Sequence, residues 1–323
     1  MDPALIVWTS GSTGRPRGVV LQHHAVLANM WANIRSLGYR DDDRTLLALP
    51  LSHAYPLVHQ CLCHLALGAT VCIPPTPLVG PILCRALENF SITTLTTVPP
   101  LLRILVEGLR RGRRSHSSLR LVTVGAGRAD PAVVRDFLRL LPATQLVITY
   151  GLTEAGPRVS SSVVDREHIN SECVGTPLPN VEVRTSSEDG AGQRILLRGR
   201  SLMRSYADDP WVEGTDATFC TADLGELEGG KLYFRGRVGR AINRGGVLVA
   251  AEEVERVLLE HPAVVSARVE REEHSFWGEI PVATVCLRPG AESVTPAELD
   301  RFCAERLPSF GRPTRIEVCS APE

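Results

Sequence analysis

LRLVTVGAGRADPAVVRDFLRLLPATQLVITYG, residues 119–151, decides the fold. Its two ends, Leu119–Gly125 and Gln145–Gly151, are β-rich apolar runs that read as strands, and Pro131–Leu141 between them carries apolar residues at helical spacing. Moving upstream, Thr45–Leu51, Ala69–Ile73 and Thr93–Val98 read as further strands. They alternate with helical patterns at Leu57–Leu67, Pro81–Phe90 and Leu101–Arg111. Strand edges are marked by Pro74-Pro75 and Pro99-Pro100, where a missing N–H ends the ladder. This rhythm predicts an α/β fold with a doubly wound sheet.

Downstream of about residue 180 the pattern changes to β-rich segments, including Arg194–Arg198 and Lys231–Arg235. A Glu-rich amphipathic helix follows at Ala250–Glu260, then strands at Val264–Val269 and Val282–Leu287, a helix at Pro296–Arg306 and a strand at Arg315–Val318. The expectation is a large domain over residues 1–236, holding the doubly wound sheet and a β-rich segment, and a smaller α+β domain over 237–323.

Composition restricts the partners. With 323 residues, 35 basic and 36 acidic groups spread without long blocks, 44% hydrophobic and 22% charged, the chain has no electrostatic footprint for nucleic acid or an anionic membrane. No apolar run is long enough to span a bilayer, and Met1-Asp2-Pro3 leads into a strand without a cleavage site, so a cytoplasmic protein is expected. The nine Cys are odd in number and lie mostly in apolar stretches, which suits reduced core thiols. Lys231 is the only lysine, so Arg is the default cation, and Lys-to-Arg replacements carry less meaning here than usual.

Several motifs carry chemistry. Thr9-Ser10-Gly11-Ser12-Thr13-Gly14-Arg15-Pro16-Arg17-Gly18 follows the apolar strand Ala4–Trp8; glycines let backbone N–H groups converge, and the hydroxyls add donors, which suits a phosphate. It is not the Gly-x4-Gly-Lys-Ser/Thr loop: counted from Gly11 the second Gly falls on Pro16, and from Gly14 on Val19. Gly125-Ala126-Gly127-Arg128-Ala129-Asp130 has Asp where a dinucleotide fingerprint wants its third Gly. His59, Cys61, Cys63 and His64 sit in a helical pattern without structural-zinc spacing.

The ten-residue string resembles the phosphate loop of the adenylate-forming superfamily, the acyl- and aryl-CoA synthetases and their kin. Leu49-Pro50-Leu51-Ser52-His53 resembles its acyl-pocket motif, Gly125-Ala126-Gly127 its adenine loop, and Tyr150-Gly151-Leu152-Thr153-Glu154 its adenine and magnesium motif. Thr221-Ala222-Asp223 stands where Thr-Gly-Asp is usual, Gly236-Arg237 opens the hinge, and Gly245-Gly246 with Glu253-Val254-Glu255 matches the start of the C-terminal domain. The resemblance implies attack of a carboxylate on the α-phosphate of ATP with Mg²⁺, then transfer to CoA or a phosphopantetheinyl carrier protein. It makes Thr153, Glu154 and His53 the catalytic candidates, with Glu154 as the metal ligand. ATP would be held by Thr9, Ser10, Gly11, Ser12, Thr13, Gly14, Arg17, Gly125, Ala126, Gly127, Tyr150, Gly151, Thr153, Asp223 and Arg237, and the thiol channel by Gly245 and Gly246. Residues 1–236 would then bind nucleotide and acyl group, and 237–323 would form the lid.

There are departures from the family's pattern. Relative to it, the chain is expected to lack the N-terminal subdomain and the terminal motif whose lysine reaches the α-phosphate; Lys231, in an expected hairpin turn, is no substitute. Arg17 replaces the loop lysine, Ala126 and Arg128 alter the adenine loop, Ala222 replaces a Gly, and Gly239 and Asn243 alter the hinge region. Adenylation by the chain alone is therefore expected to be slow. The acyl-pocket segment has no Asp to anchor an α-amino group, which disfavours an amino-acid substrate. The alternative reading is a non-catalytic paralogue that binds nucleotide or a carrier protein.

Overall fold

The computed structural model describes residues 3–9, 16–74, 80–112, 118–166, 169, 172–186, 193–209, 218–237, 241–288, 290–291 and 293–320. They form two compact units, one mainly Arg17–Arg237 and the other mainly Val238–Glu323.

In the first unit β1 (Pro3–Thr9) and β2 (Arg17–Gln22) form an antiparallel hairpin, and helix α1 (His23–Leu37) follows directly. The sheet then builds from β3 (Arg44–Leu46), β4 (Thr70–Cys72), β5 (Thr94–Thr97), β6 (Leu121–Val124) and β7 (Gln145–Tyr150). These five are parallel, in the order β4-β3-β5-β6-β7. A π-helical segment Tyr55–Leu62 runs into α2 (Cys63–Ala66), followed along the chain by α3 (Gly80–Asn89), α4 (Pro99–Arg111) and α5 (Pro131–Leu140). Period-two alternation assigns the faces. Val122, Val124, Leu146 and Ile148 join the core that contains α3–α5, while Leu121 and Val147 join the one that contains α1 and the π-helical segment. This is the doubly wound arrangement.

The β-rich segment continues the same sheet. After β7 come β8 (Ser160–Val163), β9 (Cys173–Pro177), β10 (Val181–Ser186), β11 (Arg194–Gly199), the two-residue β12 (Ser205–Tyr206), β13 (Phe219–Glu228) and β14 (Lys231–Arg237). Eleven strands are ordered β10-β11-β13-β14-β9-β8-β7-β6-β5-β3-β4. Strand β12 leaves that sheet and pairs with β2.

Two expectations need correction, and one helix was not expected. The strand expected over Thr45–Leu51 ends at Leu46, and Pro50, without an N–H, cannot continue a ladder. The helix over Leu57–Leu67 begins earlier and in π form. Helix α1 had no counterpart in the sequence reading: Asn29 and Asn33 interrupt its apolar stripe, and Gln22 gives it no side-chain cap. None of the nine Cys is in a disulfide; five are buried and Cys220 is exposed.

The second unit contains β15 (Ala241–Arg244) and β16 (Val247–Ala250) as a hairpin, α6 (Ala251–Leu259), the long pair β17 (Val264–His274) and β18 (Gly278–Leu287), α7 (Pro296–Ala304) and β19 (Arg315–Ser320), parallel to β18. Its core joins Val254 and Leu258 of α6 to Leu299 of α7 and Val285 of β18. The Thr295 hydroxyl caps α7 by accepting from Glu298 N. Among the described residues no helix is long and apolar enough to cross a membrane.

Candidate active site

Tyr150 is the last residue of β7, and Gly125 follows the last residue of its parallel neighbour β6, so both lie at the carboxyl edge of the sheet, where open α/β sheets bind ligands. The Tyr150 hydroxyl donates to Asp223 Oδ2 at 2.8 Å. Arg237 is the cross-strand partner of Asp223 in the β13–β14 ladder and places Nε 3.2 Å from Oδ1, close enough for an ion pair but not aligned as a hydrogen bond. Thr221 fixes the aspartate from below, accepting from Asp223 N at 3.0 Å while donating to Ile195 O at 2.8 Å. Asp223 is 4% exposed, and burial raises its pKa against the opposing pull of Arg237 and the Tyr150 hydroxyl. Three residues that the sequence put in one site, Tyr150, Asp223 and Arg237, are therefore in direct contact.

The glycines of the loop are required by close approach. A Cβ on Gly125 would lie 2.5 Å from Thr149 Oγ1 and 2.8 Å from the Tyr55 hydroxyl, and one on Gly151 would lie 1.9 Å from the Pro157 carbonyl oxygen. Between Gly125 and Gly127, exposed Ala126 has φ +61, a left-handed conformation that costs an L residue with a Cβ about 1–2 kcal/mol. Ala126→Gly is expected to raise stability by about 1 kcal/mol. Chemical denaturation checks this, and a lower midpoint would show that the Ala126 methyl is needed by its surroundings.

Thr153 and Glu154 form a one-turn 3₁₀ helix after Gly151. The Tyr206 hydroxyl donates to Glu154 Oε1 at 2.9 Å, and the Arg17 guanidinium lies 3.3 Å over the Tyr206 ring while also pairing with Asp209 at 2.7 Å. Burial, reinforced by the Glu154 charge, pushes the Tyr206 phenol up, so it remains a donor at neutral pH. Thr9 and Arg17 face each other across the β1–β2 hairpin, and the Thr9 hydroxyl donates to Arg17 O at 3.3 Å. Ser10, Gly11, Ser12, Thr13 and Gly14, with Gly239 of the hinge, lie outside the described residues.

His53 is exposed in the turn before the π-helical segment, and among the described residues no hydrogen bond ties its ring to Tyr150 or Glu154. Gly245 and Gly246 belong to the second unit, where they form the two-residue turn between β15 and β16 with φ +61 and +98, the pairing that a tight hairpin favours. Gly245 N donates to Trp277 O and Gly246 N to Asn243 Oδ1. Lys231 opens β14 beside the Gly229-Gly230 turn and is exposed. Both ring nitrogens of His59 and of His64 are engaged in hydrogen bonds, and among the described residues no group of three His, Cys, Asp or Glu is placed to hold a metal. Sequence reasoning passed over Tyr206 and Asp209. A two-residue strand carries no periodic signal, and only its pairing with β2 brings Tyr206 to Glu154.

Residues 1–207 match the family model for the AMP-binding enzyme, and residues 253–323 match that for its C-terminal domain. The chain belongs to the AMP-binding enzyme family. Within it, the chain is 29% identical over 341 residues to 4-coumarate–CoA ligase 2 of Oryza sativa subsp. japonica, covering 99% of this chain and 59% of that one. The chain thus spans about three fifths of the length of the curated relatives it matches. Among solved AMP-binding structures, a double mutant of o-succinylbenzoate CoA synthetase from Bacillus subtilis bound with its product analogue OSB-NCoA aligns with a TM-score of 0.86 at 26% identity, covering 98% of this chain and 66% of that one. A malonyl-CoA ligase ternary product complex with methylmalonyl-CoA and AMP aligns at 0.84 and 29% identity, covering 100% and 72%.

Proposed function

We propose that the chain activates an organic carboxylate as its acyl adenylate and passes the acyl group to the thiol of CoA. The observation that carries this reading is the contact of Tyr150, Asp223 and Arg237 at the carboxyl edge of the sheet. A carboxylate has about four lone-pair directions, so Asp223 can hold Tyr150 and Arg237 and still accept from ribose hydroxyls. Its bond to Tyr150 fixes the plane of a ring that would lie beside adenine, with the Gly125–Gly127 loop. The relatives named above, ligases that form thioesters with CoA, support the same chemistry.

In the first half-reaction a carboxylate oxygen attacks the α-phosphorus, the bond to the β-bridging oxygen breaks, and pyrophosphate leaves with its electron pair. Thr153 is suited to hydrogen-bond the α-phosphate. Glu154 has one oxygen occupied by Tyr206 and none of the described residues on the other, which fits Mg²⁺, a cation that takes one or two protein carboxylates and completes its shell with phosphate and water. Bound there, the ion would neutralise charge on the phosphates. Arg17 at the base of the phosphate loop adds positive charge. In the second half-reaction the thiol sulfur attacks the acyl carbonyl and AMP leaves. We assign residues 237–323 as the lid, with Gly245-Gly246 allowing close approach of the pantetheine arm, and 1–236 as the nucleotide- and acyl-binding domain.

The test is pyrophosphate release across a panel of aliphatic and aromatic acids, with and without CoA or a phosphopantetheinyl carrier protein, and mass detection of the thioester. Nucleotide binding without pyrophosphate release for any acid would replace this reading by a non-catalytic one. Asp223 supplies a further expectation. Its raised pKa means that it protonates above the ordinary aspartate value of 3.8, so AMP affinity should begin to fall on acidification before that pH is reached. Folding linkage has the opposite sign. For a carboxylate with a raised folded pKa, the stabilising contribution is complete below the unfolded pKa and is lost as pH rises through the folded one. At neutral pH the charge therefore weighs against the fold, and Asp223→Asn should keep its melting temperature while AMP affinity drops about 10-fold or more. Calorimetric titration against pH checks both, and a flat affinity profile with an unaffected variant would remove Asp223 from the ribose site.

A further inference from the structure

One face of the parallel sheet is lined by hydroxyls: Thr94, Thr96, Thr123 and Thr149 are all buried. Asn33 of α1 and His59 of the π-helical segment face them, and His59 bonds to Asn33 Oδ1 at 3.1 Å and to Thr123 Oγ1 at 3.2 Å. Into this layer runs Arg158, the largest fully buried side chain among the described residues, at 1% exposure. Its Nη1 donates to Asn33 Oδ1 at 2.6 Å, whereas Nε and Nη2 have no hydrogen-bond partner. Among the described residues no carboxylate pairs with it. Burial lowers its pKa to about 10, opposed only by Tyr39, Tyr55 and Cys63, so it stays charged at neutral pH. An unpaired buried charge is among the costliest features a fold can carry.

The orphaned atoms are adjacent. Nε and Nη2 form one edge of the planar guanidinium, and their parallel N–H bonds match the two oxygens of a carboxylate. The layer is also continuous with the nucleotide side. The Tyr55 ring stacks on His59 at 4.7 Å, its hydroxyl is 2.9 Å from Thr149 Oγ1, and it lies where a Cβ on Gly125 would fall. Val159, the residue after Arg158, donates its N–H to Tyr150 O at 2.9 Å. His59 adds no second positive charge, because burial, Arg158 and His64 all lower its pKa.

We propose that Arg158 is a specificity-determining residue that pairs, through its Nε–Nη2 edge, with a second carboxylate at the far end of the acyl substrate, so that the acid activated is a dicarboxylate. This rests on the carboxylate-activation reading above. The guanidinium keeps its Nη1 contact with Asn33 and gains a charge-matched, bidentate partner on its open edge, whereas a monocarboxylic acid would leave that edge as it is.

The test uses the full chain with matched acids: succinate against butyrate, glutarate against pentanoate, adipate against hexanoate. Two readouts are taken, kcat/KM for pyrophosphate release and the shift in melting temperature in the presence of AMP. Wild type is expected to favour the dicarboxylate of at least one pair by about 10-fold or more. Arg158→Met is expected to erase or invert that preference, and to melt about 2–4 °C higher because the uncompensated charge is gone. Arg158→Lys should retain part of the preference. Equal use of both members of every pair by wild type overturns the proposal and leaves activation standing. Dicarboxylate-dependent melting shifts that vanish in Arg158→Met, without pyrophosphate release from any acid, sustain the anion site and sink activation. A preference unchanged in Arg158→Met, or no dicarboxylate effect in either readout, makes Arg158 an internal brace and overturns the proposal.

Discussion

Glu154→Ala is expected to lower pyrophosphate release by about 10²–10³-fold, the usual consequence of removing one preorganised charged contact from a reaction centre. The substitution deletes the only carboxylate of the Thr153–Ala155 turn and leaves the Tyr206 hydroxyl without its acceptor. Tyr206 is only half-buried, so water can replace the lost partner, and the fold should lose no more than about 1 kcal/mol. The effect should therefore fall on kcat rather than on the melting temperature. Glu154→Gln separates charge from shape: the amide oxygen can still accept from Tyr206, but the negative charge is gone. Steady-state pyrophosphate release beside a melting curve decides the matter, and near-normal turnover by Glu154→Gln would reduce Glu154 to a brace for Tyr206.

Gly151→Ala should have the second largest effect, by a different route. The added Cβ would stand 1.9 Å from the Pro157 carbonyl oxygen and 2.8 Å from the Arg158 Cα. Both are backbone atoms and cannot swing aside as a side-chain end could. Forcing them apart costs about 1–3 kcal/mol or more. The displaced segment is bonded to Tyr150 through Val159 N, so the movement reaches the ring that carries the Asp223 contact. AMP affinity should fall about 10-fold or more together with stability. Gly229→Ala is the control: its φ is +55, nothing lies within 4 Å of the added Cβ, and it should cost about 1 kcal/mol without changing affinity. If Gly151→Ala binds AMP as wild type does, the close passage of residues 157–158 is not what positions Tyr150.

The parallel half of the sheet was legible in the sequence because its strands are short apolar runs separated by helices with clear periodicity, as at Leu119–Gly151. The contact of Tyr150 with Asp223, and of Asp223 with Arg237, followed from motif order: Tyr150 and Arg237 each end a strand beside a Gly, and Asp223, in the middle of its strand, was marked only by the Thr-x-Asp string. What escaped was written without periodicity. Helix α1 buries two asparagines in its inward face, and Arg158 sits in what reads as a loop, so neither presents the apolar pattern by which burial is recognised. Tyr206 belongs to two residues whose strand character comes entirely from a partner far away in the chain.

That partner gives the protein an order of assembly. Strand β2 can pair with β1 as soon as both have been synthesised, since Val7 and Val19 face each other across a short hairpin. Its other edge stays open until Ser205 and Tyr206 arrive opposite Val20 and Val19, flanked by the bonds Arg204 N to Val20 O and Ala207 N to Gly18 O. Closing so long a loop adds little entropy cost beyond a medium one, because the cost grows only with the logarithm of length, but long-range pairings form slowly. On the ribosome, then, the parallel sheet through β7 can emerge complete while Arg17 is still uncovered. The ring that lies under its guanidinium, and with it the hydroxyl that holds the Glu154 carboxylate, is supplied only when β12 leaves the tunnel.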